Sequence, residues 1–109
     1  MPNKIHETIT EETWCQKWFF AGLRLDLLNP YHSQIRTVQE CILEAPRLCL
    51  TGWIHRTYPD TMEQDSIKRR VSQALRDRGW DPECPIVSFN DSTTTHFVHV
   101  LSLVQELDI

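Results

Sequence analysis

The stretch IKRRVSQALRDRG, residues 67–79, constrains the fold more than any other part of the chain. Ile67, Val71, Ala74 and Leu75 fall at i, i+4, i+7 and i+8, so one face of a helix is apolar and the opposite face is charged. Gly79 stands where a left-handed terminator belongs, and Arg76 and Arg78 lie in the last turn, where cations complement the helix dipole. The pattern predicts a helix over residues 62–78. A second strong pattern lies near the C-terminus. Asn90-Asp91-Ser92-Thr93-Thr94 supplies a polar start, and Phe97, Val100, Leu101, Val104 and Leu107 form an inner stripe, predicting a helix over 94–107. Two such helices must bury their stripes against each other, so Val71, Leu75, Phe97, Leu101 and Val104 are the expected core.

Weaker signals fill in the rest. Ile5 and Ile9, then Trp14 and Trp18, each lie four apart and suggest a first helix, or a shorter one that breaks near Thr13 into an extended segment. Leu23, Leu25 and Leu27 alternate with Arg24 and Asp26 in strand fashion, and Asn29-Pro30 marks a turn. Ser33 can cap a helix carrying Ile35, Val38, Cys41 and Ile42. Pro46 suits the first turn of another helix, with Leu48, Cys49 and Gly52 inside, running to about Tyr58 and stopping at Pro59. Between Asp81 and Asp91 two prolines and the Ile86-Val87 pair suggest a loop with at most a short strand. The expectation is one mainly α domain over residues 1–109, with about five helices and room for one or two short strands.

Composition narrows function by exclusion. Gly22, Gly52 and Gly79 are the only glycines and stand apart, so no glycine-rich phosphate loop can form. The longest apolar run, Trp18–Leu23, is too short to span a bilayer, and MPNKIHETITEE has no signal-peptide character, so a cytoplasmic protein is expected. Cys15, Cys41, Cys49 and Cys84 contain no C-x-x-C pair and are expected to be reduced, structural thiols. Net charge is −4 and uneven: −2 over residues 1–45, +3 over 46–80 and −5 over 81–109. The acidic total argues against a general nucleic-acid binder, and the asymmetry suits steering of a partner.

Three stretches, Trp14-Cys15-Gln16, Arg47-Leu48-Cys49-Leu50-Thr51-Gly52, and Phe89-Asn90-Asp91 followed by a helix with Val98 and Leu101, appear in an order that resembles a family of small bacterial and phage proteins known only as a domain of unknown function. The second stretch is similar to that family's Arg-x-Cys-Leu-x-Gly helix. The resemblance covers about a third of the chain, in short pieces, and the sequence departs from the pattern between Trp18 and Glu44. It implies a small helical domain and leaves the function open.

Candidate contact residues concentrate in LCLTGWIHRTY, residues 48–58. Leu48, Cys49 and Gly52 are expected inside, because glycine in an exposed helix costs about 1 kcal/mol against alanine. His55, Arg56 and Tyr58 are expected at the surface. Trp53, Tyr58 and Trp80, as exposed aromatics, would anchor a protein partner, since interface hot spots favour Trp, Tyr and Arg. The leading expectation is a small non-enzymatic interaction protein, a phage or mobile-element accessory factor that binds a host protein. A second reading is a nucleotide or other anionic small-molecule module, with His55, Arg56, Arg69 and Arg70 meeting a phosphate and Trp53 or Tyr58 stacking on a base. The third is a cysteine-dependent enzyme centred on Cys49 or Cys15. No catalytic set, cofactor site or metal site is marked: His96 and His99, three apart, would need further ligands to hold a metal.

Overall fold

Asp60 sets the start of the longest element. Its carboxylate accepts from the Glu63 amide at 3.0 Å, and the helix that follows runs Thr61–Asp77, ending at Gly79 with φ +90°. The computed structural model describes residues 4–17, 20–21 and 45–109. Among these, the α-helices are α1 (Ile5–Thr8), α2 (Leu50–Thr57), α3 (Thr61–Asp77), α4 (Pro85–Asp91) and α5 (Phe97–Leu107). A 3₁₀ turn spans Glu11–Thr13, and two short strands, β1 (Phe20–Ala21) and β2 (Arg47–Leu48), pair antiparallel. The domain is mainly helical, as the periodicity predicts. The alternating leucines at 23–27, the Asn29-Pro30 turn, the helix after Ser33, and Trp18 lie outside the described residues.

Helix α3 packs on both α2 and α4, and α1 packs on α5 and α2. Ile5, Leu48, Leu50, Ile54, Val71, Leu75, Val100, Leu103, Val104 and Ile109 are fully enclosed between these elements. Val71, Leu75 and Val104 therefore sit where the helical pattern puts them. Phe97 and Leu101 do not: they are partly exposed and pack on the rim of the core, while Leu103 takes an interior place. The α5 stripe is rotated so that Val100, Leu103 and Val104 point inward.

Four local expectations need correction. The first helix ends at Thr8, because Ile9 is already extended and the Thr13 hydroxyl bonds the Thr10 amide, carbonyl and hydroxyl around the 3₁₀ turn. The break thus comes earlier than Thr13. Pro46 does not open a helix. Leu48 pairs with Phe20 on one edge and forms a parallel bridge with Trp14 on the other, so the chain stays extended until Cys49. The Cys49 thiol then caps α2 by accepting from the Gly52 amide at 3.4 Å. Residues 85–91 are helix rather than loop. Pro85 occupies the first turn, where its missing N–H costs nothing, and Pro85, Ile86, Phe89 and Asn90 are buried at helical spacing. Finally, α5 begins at Phe97, since Asn90 and Asp91 close α4 and Thr95 is buried in the connection.

Candidate functional site

Helix α2 is too short to present its aromatics to solvent. Trp53 is 5% exposed, and its indole Nε1 donates to the Thr13 carbonyl at 3.2 Å. Tyr58 is 9% exposed, and burial pushes its phenol above the ordinary value. Both residues are core, which corrects the expectation that they are surface anchors. The reason is steric: with eight residues, α2 makes little more than two turns and packs on α1, α3 and α4. Gly52 is buried, as expected of it.

The basic residues do not converge either. The Arg56 guanidinium lies 5.2 Å from the Trp53 ring centroid and donates to the Ala45 carbonyl, so it ties the start of β2 to α2. Arg70 donates to the Leu107 carbonyl at the end of α5, while Arg69 is exposed on α3. His55 is half-buried; burial and the neighbouring Lys68 lower its pKa. Two of the four residues expected to face one anion thus serve instead as braces between elements.

Among the described residues, two surface grooves bear on the candidate site. The first, about 370 Å³, lies between the α3–α4 connection and α5 and is lined by Trp80, Phe89, Thr94, Thr95, His99, Ser102 and Arg78. Trp80 and Phe89 meet edge to face at its base, with centroids 5.3 Å apart and planes at 80°. Arg78 pairs with Glu106 at its rim. Of the three aromatic anchors expected from sequence, only Trp80 keeps part of its ring accessible. The second groove, about 250 Å³, follows one face of α3 through Lys68, Ser72 and Arg76, with Thr51 and residues 83–87 opposite. Arg76 also donates through Nε to the Pro82 carbonyl at 3.0 Å.

The residue that sequence reasoning missed is Asn90. It is 2% exposed, and its carboxamide joins three segments of the chain. Its Oδ1 accepts from Trp14 Nε1 at 2.7 Å and from the Leu50 amide at 3.0 Å. Its Nδ2 donates to the Cys15 carbonyl at 3.2 Å and to Asp91 Oδ1 at 2.8 Å. Asp91 in turn accepts from the Lys17 amide, whose residue has φ +70°, and Gln16 donates to the Ser92 and Thr95 carbonyls. Residues 14–17 are thereby stitched along the end of α4. No signal in the sequence separates Asn90 from its polar neighbours.

Among the described residues, the three thiols are all held above their ordinary values. Burial raises Cys15 to about 11 and also raises Cys49, while the Asp81 carboxylate raises Cys84. His99 Nδ1 accepts from the His96 amide at 2.9 Å, so this pair caps α5. Among the described residues no group of three or more His, Cys, Asp or Glu is arranged to hold a metal, and no helix is long and apolar enough to cross a membrane. No family model, curated protein or solved structure matches the chain.

Proposed function

We propose that this chain is a small non-enzymatic binding protein, an accessory factor of a phage or mobile element that acts by holding a host protein at the Trp80 groove. The observation that carries this reading is the accessible part of the Trp80 ring, set against Phe89 inside a groove with a hydroxyl, imidazole and guanidinium rim. An aromatic floor with a polar rim is the anatomy of a protein-interaction hot spot. A groove of about 370 Å³ takes one or two partner side chains. Thiols held above their ordinary values are largely protonated near neutrality, unlike the pre-ionised thiolate of a cysteine-dependent enzyme.

Ser102 is exposed on the groove wall, so Ser102→Trp should plug the groove without entering the core. Ser66→Trp, exposed on α3, is the matched control. With each protein immobilised against an extract of its native host, a partner retained by the wild type and by Ser66→Trp, and lost with Ser102→Trp, supports the assignment. Retention by the plugged variant would remove the groove from consideration.

The anionic-ligand reading keeps one observation in its favour, with a different residue set from the one expected. Lys68 and Arg76 lie on one face of α3 beside the Thr51 and Ser72 hydroxyls. Thermal-shift screening with nucleotides should raise the melting temperature if this groove is the site, and Lys68→Glu should abolish the rise.

A further inference from the structure

Asn90 holds two stretches of backbone against each other. It donates to the Cys15 carbonyl at 3.2 Å and accepts from the Leu50 amide at 3.0 Å. The Cys15 amide donates to the Leu48 carbonyl at 3.1 Å, beside the parallel bridge between Trp14 and Leu48. Residue 15 is therefore tied directly to residue 48, and through one side chain to residue 50, with Cys49 between the two attachment points. Adjacent extended segments joined by such bonds run about 5 Å apart. That falls inside the roughly 4.4–6.8 Å Cα separation a disulfide bridges. In a parallel pairing the residues that follow a bridged pair turn together to the same face. Cys49 also acts on Cys15, as the next largest influence after burial, and the Asp91 carboxylate acts on both.

We propose that Cys15 and Cys49 are a redox-active pair that closes reversibly to a disulfide in the presence of a small-molecule disulfide such as oxidised glutathione. One cysteine loses its proton, and its thiolate attacks a sulfur of the reagent, giving a mixed disulfide and expelling one glutathione thiolate. The second cysteine, deprotonated in turn, attacks the protein sulfur of that mixed disulfide and expels the other. Two S–H bonds are lost and one S–S bond forms. The two electrons pass to the reagent, which leaves as two thiols once both thiolates are protonated. The product is a ring through residues 15–49 that staples the segment after the 3₁₀ turn to the cap of α2. Nothing in this step depends on what the Trp80 groove binds.

The experiment incubates the wild-type protein in buffers of graded reduced-to-oxidised glutathione ratio, blocks remaining thiols with an alkylating agent in acid, and maps peptides without reduction. The expected result is a Cys15–Cys49 cross-linked peptide pair, lighter by two hydrogens than the two thiol peptides and separated by dithiothreitol. Closure should be far faster at pH 9 than at pH 7, because a Cys15 thiol near 11 gains thiolate across that whole interval. A Cys41→Ser, Cys84→Ser double variant should give the same pair. Cys15 and Cys49 recovered as thiols across the series, as separate glutathione adducts, or bonded to Cys41 or Cys84 would overturn the assignment.

Discussion

Replacing Asn90 with alanine should reveal how much of the fold hangs on one carboxamide. The substitution leaves the Leu50 amide, which is buried, without its acceptor. It also strands Trp14 Nε1 and the Cys15 carbonyl in a part-buried setting. A buried donor left unmade costs about 1–3 kcal/mol, and the part-buried groups can recover part of their loss from water. The sum is about 2–4 kcal/mol, against roughly 5–15 kcal/mol for a whole domain. Urea unfolding followed by circular dichroism is the assay: the midpoint should fall with the slope unchanged. Asn90→Asp should be comparably harmful, since it loses both donors and sets a second carboxylate beside Asp91. Ser88→Ala, two residues earlier on α4 and half-buried, should move the midpoint little. If Asn90→Ala stays within about 0.5 kcal/mol of wild type, the level of an ordinary surface change, the carboxamide is not the junction described here.

Leu75→Ala removes a fully enclosed side chain and should cost about 2–5 kcal/mol, whereas Leu101→Ala, at the partly exposed rim, should cost clearly less; equal losses in urea unfolding would mean the α5 face is misassigned. His55 is held below its ordinary 6.5 by burial and by Lys68, so the unfolded chain takes up its proton first. Stability from this group is level above that pH and declines as pH falls through 6.5 toward the folded value. His55→Gln should flatten that decline when urea midpoints are compared at about pH 5.5 and 7.5. In thiol labelling of the fully reduced protein at neutral pH, exposed Cys84 should react ahead of the half-buried Cys15 and Cys49.

Helix α3 was legible in the sequence because its start, stripe and stop are all local: Asp60 caps it, Ile67, Val71 and Leu75 face inward, and Gly79 ends it. Helix α4 was not, because seven residues just after Pro82 carry too few turns for a period to emerge, although Pro85 at its first turn is itself a start signal. Leu48 and Cys49 looked helical by spacing, but partners far away in the chain, Trp14 and Phe20, hold Leu48 extended. The aromatic anchors failed for a related reason. An amphipathic ring on a short helix can face either way, and Trp53 is held inward by its bond to Thr13 and by the Arg56 guanidinium over its ring. Trp80 stayed accessible because it follows the α3 terminator, where the chain has turned away from the core.

The lacing of residues 4–6 to residues 108–109 gives the domain a mechanical character. Lys4 and His6 reach Asp108, the His6 amide donates to the Ile109 carbonyl, and α1 lies against α5. Tension applied at these two points would load their bonds one after another, as a zipper is pulled, rather than all together as in shear. Loaded in that way, the seam between α1 and α5 would open bond by bond. Tethered instead through α3, whose helix is held on both sides, the same molecule would present its core to the load first.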